Sequence, residues 1–113
     1  MKHDGVYLRH ILDEIVYLVN ESSTISPEEF LKNETLKRAF SRSLEIIGEA
    51  AKHLSSSLRE KHAKVEWGQI TGLRDKLIHH YFGVDWDLLW DIVRNKLPEF
   101  RQQIESILNE LTE

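Results

Sequence analysis

With 113 residues, 41% of them apolar and 30% charged, and only 5 glycines and 2 prolines, the chain has the make-up of a folded domain with one core, not of a disordered or collagen-like one. It has no cysteine, which excludes a disulfide scaffold, a thiolate metal site and a cysteine nucleophile. No apolar run approaches the ~18 residues of a membrane span, the N-terminus has no signal-peptide stretch, and a net charge of −4 weighs against an overall basic nucleic-acid binder, so the expectation is a single cytoplasmic domain over residues 1–113 with no membrane association.

In chain order the pattern is helical. From Leu8, the residues Ile11, Leu12, Ile15, Val16 and Val19 recur at three- and four-residue steps, one stripe of an amphipathic helix that Ser22-Ser23-Thr24 ends. Ser26-Pro27-Glu28-Glu29 reads as an N-cap, a proline in the first turn and a capping-box glutamate, opening a short helix near Phe30-Leu31. Asn33 reads as the next cap. From Leu36, the residues Phe40, Leu44, Ile47, Ala50, Ala51 and Leu54 share one face of a second long helix, opposite Arg38, Arg42, Glu45, Glu49 and Lys52. Residues 57–66 read as a connector with room for a helical turn. A third helix is expected from about Trp67 to Tyr81, with Gly83 as its C-terminal cap. Asp85 caps a fourth, with Trp86, Leu89, Val93 and Leu97 on one face, kinked or restarted at Pro98 and continued by Phe100, Ile104, Ile107, Leu108 and Leu111. The fold class is therefore all-α, an antiparallel bundle of four main helices plus short helical segments.

Most of this pattern is packing. The aliphatic stripes are core, the three tryptophans are apolar bodies for core or interface, and Lys37, Arg38 and Arg42 beside Glu45 and Glu49 form a salt-bridged exposed face. The third helix stands apart. With Arg74 at zero on its wheel, Trp67, Ile70, Leu77, Ile78 and Tyr81 fall within about 60° either side, which puts a guanidinium on an apolar stripe. A buried guanidinium needs a partner. Two explanations stand side by side: a structural ion pair, to Asp75, Asp85 or a glutamate of the second long helix, or an anion-binding arginine in a cleft or subunit seam. His79 lies about 140° from Arg74 on a straight helix, so the two meet at one substrate only across a groove, through a distorted helix end, or with help from a second copy. The spacing leans toward a dimer-interface site.

The run Arg74-Asp75-Lys76-Leu77-Ile78-His79-His80-Tyr81 resembles the Arg-x4-His-x-Tyr motif of HepT-like toxins in the HEPN superfamily. The likeness continues in Leu44-Glu45-Ile46-Ile47-Gly48-Glu49-Ala50-Ala51-Lys52, in Trp67-Gly68-Gln69-Ile70-Thr71-Gly72-Leu73, and in Phe82-Gly83-Val84-Asp85 with Trp90 and Leu97-Pro98. It spans roughly residues 5–110. One position departs: asparagine commonly follows the arginine in the family, and Asp75 stands here. The resemblance implies a helical-bundle, metal-independent endoribonuclease with no cofactor, the toxin of a type VII-like toxin–antitoxin pair. It implies Arg74 and His79 as catalytic residues, Asp75 and Tyr81 as supporting ones, a homodimer, and an RNA substrate. It also implies an MntA-type nucleotidyltransferase antitoxin that silences the toxin by moving AMP from ATP to Tyr81.

The residue types suit that chemistry. RNA brings its own nucleophile, the 2′-hydroxyl, so the site needs neither a metal nor a covalent side chain. It needs a proton acceptor that works near neutrality, the histidine's role, and a fixed cation where charge builds on phosphorus, the arginine's role. A modified Tyr81 would add bulk and negative charge where RNA must sit. Two other readings compete. One is a non-catalytic helical binding module that serves a nucleotidyltransferase as substrate or adaptor. The other is a metal site built from His79, His80 and Asp85, which no ligand spacing on a helix supports.

Overall fold

The computed structural model describes residues 2–79 and 83–112, with Lys2, His79 and Thr112 described through their backbone alone. Helix α1 (Lys2–Ser22) begins six residues ahead of the expected Leu8 and buries Leu8, Ile11, Ile15 and Leu18 against α3 (Glu34–Lys52), whose inward stripe is Phe40, Leu44, Ile47 and Ala51. The two run antiparallel, because their contacts step backward along the chain: Tyr7 stacks on His53, Ser43 donates to Glu14, and Tyr17 meets Phe40 edge-on. Asp4, buried in the first turn of α1, accepts hydrogen bonds from the Ser55 backbone N–H at 2.8 Å and the Ser55 hydroxyl at 2.6 Å. Ser55 in turn caps α4 (Ser56–Lys61), the turn of helix within the expected connector.

The caps read from the sequence are in place. Ser26 and Glu29 form the reciprocal capping box of α2 (Pro27–Lys32), and Asn33 accepts from the Leu36 N–H at the start of α3. Phe30 of α2 is fully buried between Phe40 and Trp90, with ring centroids 5.0 and 5.1 Å away. Lys37 departs from the expected exposed face. It is buried, its ammonium donates to the Leu31 carbonyl and to Glu34, and it lies 5.1 Å from the centroid of the Trp86 ring. The rest of that face is as expected, with Arg42 paired to Glu45 and Lys52 to Glu49.

The third helix is where the structure corrects the sequence. The expected continuous helix over Trp67–Tyr81 is two five-residue pieces, α5 (Trp67–Thr71) and α6 (Leu73–Leu77), broken at Gly72. Glycine is a weak helix former, and here a Cβ would stand 3.1 Å from the Gly68 carbonyl oxygen, a tight contact that a larger residue would have to relieve. After Leu77 the backbone turns extended at Ile78 (φ −99°, ψ 118°), and β1 (Ile78–His79) pairs antiparallel with β2 (Gly83–Val84), Ile78 opposite Val84 and His79 opposite Gly83. The Asp85 N–H closes the ribbon onto the Leu77 carbonyl at 2.8 Å. Gly83 is therefore not a helix cap. It sits in β2 with φ at +76°, the left-handed region that favours glycine.

Asp85 caps α7 (Trp86–Asp91) through the Leu88 N–H, as expected. A π-helical turn (Ile92–Lys96) then leads into α8 (Leu97–Thr112). Pro98 has no N–H for the Arg94 carbonyl, and the chain meets this one turn early, with the Leu97 N–H reaching back to Ile92. The fold is all-α apart from the two-residue ribbon. Among the described residues no helix is long and apolar enough to cross a membrane.

Candidate active site

Arg74 is the second residue of α6. The buried stripe of that short helix is Leu73 and Leu77, and Arg74 lies beside it, not on it. Its side chain is 66% exposed, so the sequence-based placement of a guanidinium on an apolar stripe does not hold. The wheel failed because its reference residues, Trp67 and Ile78, belong to other elements once the helix breaks at Gly72 and ends at Leu77.

Of the partners weighed for Arg74, a glutamate of the second long helix is the one found. Glu45 of α3 places Oε2 3.7 Å from the arginine Nε. Its other oxygen, Oε1, lies 3.6 Å from Nη1 of Arg42 on the same helix. One carboxylate thus sits between two guanidinium groups, using a separate oxygen for each. The approach of α5 to α3 makes this reach possible. Gly48, three residues along α3 from Glu45, faces the end of α5 so closely that a Cβ would stand 3.2 Å from the Ile70 carbonyl oxygen.

Asp75 is exposed in the first turn of α6, next to Arg74. His79 follows α6 by two residues, on the ribbon strand β1, and only its backbone is described. The 140° separation computed for a straight helix therefore has no bearing, since His79 is not on the helix. Tyr81 and His80 lie outside the described residues. For the metal alternative of His79, His80 and Asp85, only the Asp85 side chain is described, and it caps α7. Among the described residues no three histidine, aspartate or glutamate side chains gather as metal ligands would. Glu45 is the residue that sequence reasoning did not single out for the site. It read as one more charge on a solvated helix face, and the only available signal was the ion-pair alternative for Arg74.

A groove of about 180 Å³ lies elsewhere, between α5–α6 and the α7–α8 arm, with Ile70, Leu73 and Phe100 among its walls and Lys64, Lys76 and Lys96 among its charged residues. Lys76 turns to this groove while Arg74 turns to α3, so α6 separates the two.

Comparison with known proteins gives a consistent picture. The family model described as ribonuclease HepT-like matches residues 11–107. A candidate RNase of Caldanaerobacter subterraneus subsp. tengcongensis is 50% identical over 108 residues, covering 96% of each chain. A candidate RNase of Methanocaldococcus jannaschii is 40% identical over 93% of this chain and 87% of its own. A candidate ribonuclease HepT of Thermococcus cleftensis is 36% identical over 89% of this chain and 92% of its own. No solved structure matches.

Proposed function

The chain belongs to the HepT-like ribonuclease family, and from that membership we propose that it is a metal-independent endoribonuclease, the toxin of a type VII-like toxin–antitoxin pair. The observation that carries the reading is Arg74. Its guanidinium is exposed, it meets its own protein through Nε, and it stands four residues ahead of the start of the ribbon that bears His79. An exposed planar fork of this kind suits the paired oxygens of a phosphodiester.

In the proposed reaction the 2′-oxygen of the substrate attacks the adjacent phosphorus. His79 accepts the 2′-hydroxyl proton, Arg74 offsets the charge that builds on the phosphoryl oxygens, and the bond from phosphorus to the 5′-oxygen breaks, leaving a 2′,3′-cyclic phosphate and a 5′-hydroxyl that takes its proton from water. Asp75 and Tyr81 flank this centre as supporting residues. Two chains act together as a homodimer, with the motif in the seam between them. The antitoxin is a nucleotidyltransferase of the MntA type. It silences the toxin when the Tyr81 phenolic oxygen attacks the α-phosphorus of ATP, loses its proton and displaces pyrophosphate. RNA, toxin and antitoxin would meet in the cytoplasm.

The test is RNA cleavage by the purified chain. Arg74→Ala and His79→Ala should each lower the rate at least about 10²-fold while leaving the helical spectrum unchanged, and EDTA should leave the wild-type rate as it is. A folded variant of either kind that cleaves at the wild-type rate would overturn the assignment. Asp75 favours the adaptor reading to one degree, because it sets a second negative charge beside the proposed phosphate site. A wild-type chain that binds a nucleotidyltransferase and cleaves no RNA would establish that reading instead.

A further inference from the structure

We propose that Glu45 is a positioning residue for Arg74, holding the guanidinium by its Nε so that the two terminal nitrogens face the phosphate. The inference rests on the ribonuclease reading above and adds to it a residue from a different helix. Arginine has five N–H donors in a fixed fork, and a carboxylate usually takes two of them side by side. Glu45 does not take the terminal pair. Its contact with Arg74 runs from Oε2 to Nε at 3.7 Å, an ion pair made on the inner edge of the fork. That arrangement draws the inner edge of the group toward α3 by charge attraction and turns its outer edge to solvent, where the side chain is 66% exposed.

A lone carboxylate at this point would work against an anionic substrate. Arg42 answers that objection, since it occupies the other oxygen of Glu45 at 3.6 Å. The three groups together carry one net positive charge, so Glu45 does not cancel Arg74, although Asp75 next to it adds a second carboxylate nearby. The carboxylate is itself well held. Glu45 is 30% exposed, it follows the buried Leu44, and the close approach at Gly48 fixes α3 against the α5–α6 unit.

An ion pair this exposed contributes little to folding, so stability gives no reason for it. Preorganisation does. A free arginine on a surface helix samples many rotamers, and ordering it when RNA arrives takes binding free energy away from the transition state. Holding it beforehand moves that cost to the folding of the protein.

The experiment compares Glu45→Ala and Glu45→Gln with wild type and Arg74→Ala, using a fluorescent single-stranded RNA of mixed sequence. Glu45→Ala should lower kcat/KM about tenfold, mostly in kcat, with the thermal midpoint unchanged, and Glu45→Gln, which keeps an acceptor oxygen, should recover part of the loss. In the RNA-free protein, the side-chain Nε–H resonance of Arg74 should exchange more slowly with water in wild type than in Glu45→Ala. Wild-type kinetics in Glu45→Ala, alongside an inactive Arg74→Ala, would overturn the role of Glu45 and leave the ribonuclease reading standing. Loss of activity together with a lowered midpoint and no recovery in Glu45→Gln would make Glu45 structural and also overturn it. A wild-type chain that cleaves no RNA would remove the ribonuclease reading and this role with it.

Discussion

Three tyrosines compete as acceptors for a transferred nucleotide, and their surroundings separate them. Tyr7 is half-buried and stacked on His53, with ring centroids 5.0 Å apart. The Tyr17 hydroxyl is held above the ordinary tyrosine range, first by burial and then by Glu21 and Glu14, which makes it a weaker nucleophile. The same two carboxylates repel the triphosphate of an approaching ATP. Tyr81 belongs to the segment that follows Arg74 and His79 in the motif, and AMP attached there would carry its phosphodiester charge to the cation the substrate needs. Co-expression with the cognate nucleotidyltransferase should therefore add AMP to Tyr81 and to neither of the others, and Tyr81→Phe should escape silencing. Intact and peptide mass spectrometry reads this directly, and an adduct mapped to Tyr7 or Tyr17 would count against it.

Among the elements, what could be read in advance depended on how local its physics is. Caps are local: Ser26 with Glu29, Asn33 and Asp85 each satisfy an N–H three residues on, and each was visible as a residue type at a fixed offset. The long stripes of α1 and α3 were visible for the same reason. The α5–α6 break was not, because a 3.6-residue period passes through Gly72 without interruption and nothing at Ile78 announces that its backbone will pair with Val84. Arg74 and His79 could be picked out by motif, yet their relation could not be computed from a wheel, since the ribbon begins between them. Lys37 and Glu45 were hidden differently: both lie on a face that reads as solvated until Trp86 covers one and Arg74 reaches the other. Asp4 shows the same limit, because its partner Ser55 is 51 residues away. Asp4→Ala would strip the Ser55 N–H and hydroxyl of their acceptor and untie α1 from the start of α4. The expected loss is about 1–3 kcal/mol. Chemical denaturation should show it as a lower midpoint at unchanged slope, with RNA cleavage by the folded fraction unaffected. An unchanged midpoint would mean that water replaces the carboxylate without loss.

At the scale of the whole molecule, a single chain leaves Arg74 of its proposed centre largely in solvent. Arg74 is 66% exposed, and Ile78, at the start of the ribbon, leaves 39% of an apolar surface in water. Electrostatic stabilisation of a transition state is strong where water is excluded and weak where it is not. An arginine in this setting would act weakly alone, whereas a second copy laid over the α6–β1 segment would cover Ile78, lower the local dielectric around Arg74 and bring two motifs to one cleft. A specific interface of ordinary size buries about 800 Å² per partner, so a second copy seated on Ile78 would have to reach well beyond it. The chain should therefore be a homodimer in solution, and Ile78→Glu, which sets a charge in the seam, should give folded monomers that no longer cleave RNA. Light scattering coupled to size exclusion decides the point: a wild-type mass of 13.3 kDa at micromolar concentration, with RNA cleavage intact, would show that one chain suffices and that the open site is the working one.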